Sequence, residues 1–179
     1  MTRSLTAVML AAACTLAAAP AYASATDDVK ACMQKFASLQ SFEIQTTTDG
    51  RPSTIDVINR PSAMHVTSAG MEMVTVGETT YMKVGGSWQK LPASKRTTGF
   101  MSDPIRHMAD TTAGVKATDL GMKSIGGETL HAYKIVDKDG DGGIIFVGGD
   151  GLPHRFESND HTVVRMTKFN AVAPIGAPI

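Results

Sequence analysis

The chain has 179 residues, with 17 basic and 17 acidic side chains, 42% hydrophobic and 6% aromatic residues, and two cysteines. A formal charge of zero, with no long run of Lys or Arg, lacks the electrostatic footprint that nucleic acid or an anionic membrane surface needs, so no nucleic-acid partner is expected. Two cysteines support neither a dense disulfide framework nor a thiolate-only zinc site, and the 19% charged share is that of a folded domain, not a disordered chain.

The first 23 residues read as a secretory signal. Arg3 supplies the positive start, Leu5 to Ala19 is an almost unbroken apolar run, and Ala21-Tyr22-Ala23 is a small-x-small cleavage pattern. A run of about 15 apolar residues is short for a membrane span, which needs roughly 20. Cys14 is a poor lipidation site, because Ala11-Ala12-Ala13 precede it and Leu10 lies one position too far away. The expected organisation is a signal peptide over 1–23 and one domain over 24–179, exported to the periplasm. Cys32 is then the only cysteine of that domain, and its place on the stripe Val29, Cys32, Met33, Phe36 predicts a buried thiol.

Thr26, followed by Asp27 and Asp28, is suited to start a helix, since acids in the first turn oppose the helix dipole. Val29, Cys32, Met33, Phe36 and Leu39 then recur at three and four residues, which predicts one amphipathic helix. After Ser41 the period becomes two: Phe42 and Ile44, Ile55 and Val57, Met64 and Val66, and Met82 and Val84 each alternate with polar residues. Asp49-Gly50, Arg60-Pro61, Ala69-Gly70, Gly77-Glu78 and Gly85-Gly86 punctuate these segments, as in an antiparallel meander. Ser102-Asp103-Pro104 opens a short second helix to Asp110, with Ile105 and Met108 on one face. Strands are expected again over 115–122, 129–136, 144–147, 154–158 and 162–169. Ile144-Ile145-Phe146-Val147 is apolar on both parities and should be covered on both sides. The tail from Ala171 is irregular, with prolines at 174 and 178.

Candidate chemistry is sparse. Asp137-Lys138-Asp139-Gly140-Asp141-Gly142 copies the first half of a calcium loop, but the twelfth position is Gly148 where a bidentate glutamate is required, so the segment reads as a hairpin turn. Met71 and Met73 beside His65 could offer soft ligands to Cu(I). Two of the eleven methionines fall in the leader, and the other nine fit better as adaptable filling of a loose apolar interior. The five histidines form no ligand spacing, and no nucleophile elbow or phosphate-cradling glycine loop is present. No cofactor, no metal and no enzymatic activity is expected.

The order of these elements resembles the periplasmic lipoprotein-carrier superfamily (LolA-like, LppX-like). The likeness is carried by Ser38-Leu39-Gln40-Ser41-Phe42 after the first helix, Asp49-Gly50, Arg60-Pro61 ahead of the Met64 strand, Gly77-Glu78-Thr79-Thr80-Tyr81 with Trp88, and Gly149-Asp150-Gly151-Leu152-Pro153-His154-Arg155-Phe156 before a final strand ending Phe169-Asn170. The resemblance implies a mainly β fold with helices, an incomplete antiparallel β-barrel (a half-barrel meander) whose concave face is covered by short α-helices. It also implies a cavity for acyl chains and a lid linked to the sheet through Arg60.

A meander with one apolar face must cover it, and two short helices are a small cover, so a cavity between the layers fits the composition independently. The expected lining is Met64, Val66, Met73, Met82, Trp88, Ile105, Met108 and Phe146. On the strand through Met71 to Val76 the inward parity is open, because Met73 and Val74 compete. The resulting expectation is a monomeric, non-enzymatic periplasmic carrier or chaperone for an acylated or otherwise hydrophobic ligand, such as a lipoprotein or lipid. The alternative is an envelope protein-interaction module with a filled core and no lipid, which would engage a partner through strand edges or the tail.

Overall fold

The computed structural model describes residues 24–48, 50–59, 62–92, 114–137 and 140–179. The expected signal peptide, Arg60, and the expected second helix with Ile105 and Met108 lie outside the described residues.

Helix α1 spans Ala25–Ala37. Its cap is Ser24, whose hydroxyl accepts a hydrogen bond from the Asp27 amide, rather than Thr26. The Thr26 hydroxyl is used elsewhere, accepting from the Ala117 amide at 3.1 Å and so tying the helix to the sheet. Asp27 and Asp28 occupy the first turn and Lys35 the last, which suits the dipole at both ends.

Among the described residues eleven strands follow: β1 (Ser41–Thr48), β2 (Arg51–Asn59), β3 (Ser62–Ser68), β4 (Met71–Val76), β5 (Thr79–Val84), β6 (Ser87–Lys90), β7 (Lys116–Ile125), β8 (Glu128–Val136), β9 (Gly142–Val147), β10 (Pro153–Ser158) and β11 (Val163–Thr167). They form one antiparallel sheet in the order β6-β5-β4-β3-β2-β1-β11-β10-β9-β8-β7, which does not close into a barrel. Two meanders are therefore joined side by side where β1 pairs with β11. The expected half-barrel with a helix on its face is the observed architecture. Among the described residues, no helix is long and apolar enough to cross a membrane.

The helix lies over β7 and β10, and its last turn reaches the centre of the sheet. Phe36 meets Phe42 with ring centroids 4.5 Å apart and Phe169 edge-on at 6.4 Å. Leu39, Val57, Met64, Leu152 and Met166 join Phe36 and Phe42 in a fully buried cluster, against which the half-buried Phe169 packs. Val29 packs farther along the helix on Tyr133 and Ile145. The strand over 144–147 is covered on both sides as its composition requires: Ile145 faces the helix, and Phe146 packs with Leu130 and Ala132 on the opposite face.

In β7 the register slips between Asp119 and Met122. Gly121 takes a φ of 72° there, a value only glycine adopts without strain, and its amide donates to Asp119 Oδ1 at 2.6 Å. The bulge leaves Leu120 and Met122 exposed, Met122 at 59%. The tail beyond Asn170 has no regular structure, yet its start is fastened to β1: Asn170 donates its amide to the Ser41 carbonyl at 2.7 Å and accepts from the Gln40 amide at 2.7 Å.

Candidate functional site

Strand pairing assigns every described side chain of the first meander to one of two faces. On the helix-bearing face, Ile44 lies opposite Ile55, Ile55 opposite Val66, Val66 opposite Met73, and Met73 opposite Met82. These five residues form an apolar row across five strands, about 19 Å long at the usual strand separation. Each is half-buried. The row starts within the core cluster, where Ile44, Ile55 and Val66 pack against the buried Phe42, Val57 and Met64. It then runs on through β4 and β5, beyond the strands on which α1 rests. Val84 and Met71 extend the same face at its margin and are exposed.

Met64, Val66, Met73 and Met82 are thus brought together on one face, and the parity of β4 is decided. Met73 faces the helix side, while Val74 is buried on the other side between His65 and Tyr81. Trp88 and Phe146 do not join them. Trp88 lies opposite Lys83, whose ammonium stands 5.6 Å from its ring on the outer face. Phe146 lies opposite Arg155, also on the outer face, and the two apolar parities of its strand explain why the sequence could not decide this. Ile44 and Ile55 were missing from the expected lining, although their alternation with Phe42 and Val57 already placed them on a single face.

The same face changes character at one end. Thr46 pairs with Ser53 and Ser53 with Ser68, one step along the strand from the apolar row, and Thr48 pairs with Arg51 one step beyond them. These five side chains line a hollow of about 400 Å³. Arg51 is the only charged residue that β1 to β6 place on this face.

Charge otherwise collects on the outer face. Glu72 accepts from Lys83 Nζ at 2.8 Å and lies 3.2 Å from His65 Nε2. Glu43, only 4% exposed, accepts from Gln45 Nε2 at 2.7 Å and from Thr167 Oγ1 at 2.9 Å. Burial pushes the Glu43 carboxyl up, but its hydrogen bonds from Lys168, Thr167 and Gln45 outweigh that and hold it below the usual range. Its cross-strand neighbour Asp56 goes the other way, raised chiefly by burial.

Other titratable groups are tied into structure. Burial pushes the Cys32 thiol up to about 12, the character of an inert core cysteine. Burial and the nearby Asp28 and Asp119 carboxylates raise Tyr133 to about 12 as well, and its hydroxyl lies 3.2 Å from His131 Nδ1. Asp137 Oδ1 accepts from the Asp141 amide at 2.9 Å, so the calcium-like segment uses an acid to close its own turn. Among the described residues no group of three His, Cys, Asp or Glu side chains could hold a metal ion.

No protein-family model matches the chain, and no curated protein matches it in sequence. Solved structures do share its fold. The lipoprotein LppX of Mycobacterium tuberculosis, 14% identical, aligns over 84% of this chain and 97% of its own with a TM-score of 0.63. LprF of Mycobacterium bovis, also 14% identical, aligns over 86% of this chain and 96% of its own with a TM-score of 0.66. The chain therefore shares the fold of LppX and LprF, in line with what the resemblance of the sequence motifs implies.

Proposed function

We propose that this protein is a non-enzymatic carrier or chaperone of the periplasm, which holds an acylated or hydrophobic ligand against the helix-bearing face. The observation that carries the reading is the row Ile44, Ile55, Val66, Met73, Met82, which continues past α1 and is half-buried along its length. An alkyl chain laid on such a row gains roughly 0.8 kcal/mol per buried CH₂. Its two methionines have flexible, polarizable side chains that adapt to ligands of varied shape. Met64 forms the floor where the row meets the core.

The test is direct. The chain from Ser24 onward is purified from bacteria, extracted with organic solvent and examined by mass spectrometry, and a fluorescent fatty acid is titrated into the delipidated protein. A co-purifying acyl compound and saturable probe binding are expected. If neither is seen, the carrier reading fails.

A second reading, an envelope protein-interaction module, is favoured by a different observation. Edge strand β7 displays Leu120 and Met122 at its bulge, and a partner's strand could add alongside. Cross-linking that captures one specific envelope protein through β7, with no acyl compound bound, would support this reading over the first.

A further inference from the structure

We propose that the ligand is an amphiphile with an anionic head, a phosphate or carboxylate, seated in the hollow lined by Thr46, Thr48, Arg51, Ser53 and Ser68. This rests on the carrier reading and names the class of ligand that the same face would take.

Thr46 is two residues beyond Ile44 on the same side of β1, a step of about 7 Å, and Ser53 and Ser68 stand in the same relation to Ile55 and Val66. A tail on the apolar row therefore ends beside three hydroxyls, and Thr48 and Arg51 stand one further step of about 7 Å along the same strands. The hollow they line, about 400 Å³, has room for a compact head group.

Charge then selects the head. Arg51 stands without a carboxylate: among the described residues no ion pair or side-chain hydrogen bond engages it, and none engages the hydroxyls of Thr46, Thr48, Ser53 or Ser68. The acids of neighbouring strands, Glu43, Asp56 and Glu72, all project from the outer face, where Lys168, His65 and Lys83 occupy them. A guanidinium with five donors and no acceptor, ringed by hydroxyls, complements an anionic oxygen cluster and repels a cationic head. A neutral hydroxyl head would satisfy the Ser and Thr side chains but leave the cation unanswered.

The experiment uses an apolar fluorophore bound to the delipidated chain and two displacers with one tail, dodecyl phosphate below its micellar concentration and dodecanol below its solubility limit. Dodecyl phosphate is expected to displace the fluorophore at about tenfold lower concentration, with the gap narrowing as ionic strength is raised toward about 1 M. Arg51→Gln, at an exposed position, should remove the gap and leave displacement by dodecanol unchanged. Thr46→Val should narrow it. Equal displacement by the two compounds, or a gap that persists in Arg51→Gln, overturns the inference and leaves the carrier reading standing. Failure of the fluorophore and both displacers to bind overturns the carrier reading and this one with it. Inorganic phosphate titrated alone distinguishes the sources: binding as tight as that of dodecyl phosphate would mean a free-anion site and would also overturn the proposal.

Discussion

Lys168 Nζ lies 2.6 Å from Glu43 Oε2, an ion pair between a half-exposed cation and a carboxylate that is almost wholly buried. The same ammonium is 3.8 Å from Asp56 Oδ1, a buried oxygen with no hydrogen-bond partner among the described residues. One cation thus serves two carboxylates that face each other across β1 and β2, and it favours Glu43. Replacing Lys168 with Met should lower the midpoint of urea unfolding. The loss should shrink as pH falls through the carboxylate range, where both acids are protonated.

Asp56 carries the opposite pH signature. Its folded pKa is raised, so the unfolded chain releases the proton first, and stability drops as pH climbs from the ordinary aspartate value near 4 through the shifted one. Asp56→Asn should therefore stabilise the protein at neutral pH by about 1 kcal/mol. The gain should be absent in strong acid, and denaturant titrations at pH 3 and pH 7 compare the two regimes. Glu43, whose folded pKa is lowered, contributes stability above its ordinary value that is lost as pH falls, so Glu43→Gln should destabilise at neutral pH.

Phe36→Ala removes the ring that joins the helix to Phe42 and Phe169. A loss of about 3–5 kcal/mol is expected for a buried phenylalanine, read by chemical unfolding.

Ligand capture should follow the faces of the sheet. Met82→Asp introduces a charge into the half-buried apolar row and should weaken fatty-acid binding more than tenfold, by roughly the penalty of desolvating a carboxylate. Trp88→Ala changes the outer face and should leave that binding unaltered.

Cys32 should resist iodoacetamide in the folded protein at neutral pH, since its thiol is buried and its pKa is pushed up to about 12. Labelling should become rapid in denaturant, and mass spectrometry distinguishes the two states.

The pairs Phe42/Ile44, Ile55/Val57 and Met64/Val66 were legible because polar neighbours leave only one parity for burial. Val74 and Met73 were not, since both are apolar; the choice is made by the register against Val66 and Met82, which local sequence does not encode. Thr26 was expected to cap the helix, but Ser24 does so, because the Thr26 hydroxyl meets the Ala117 amide, a contact far away in sequence. The polar end of the candidate site was hidden for a related reason. Thr46, Ser53 and Ser68 are ordinary strand residues one by one, and become a lining only when three strands align them around Arg51.

The seam between β1 and β11 sets an order of events for the growing chain. The first strand made must wait for the last, because its partner on that side is assembled from Val163–Thr167, with Asn170 fastening the join. Until then β1 is an unprotected edge beside an open apolar face, able to pair with another chain. Such long-range closure is slow. A chain cut short before β11 would be left as two separate meanders, so the five residues Val163–Thr167 decide whether one sheet exists at all.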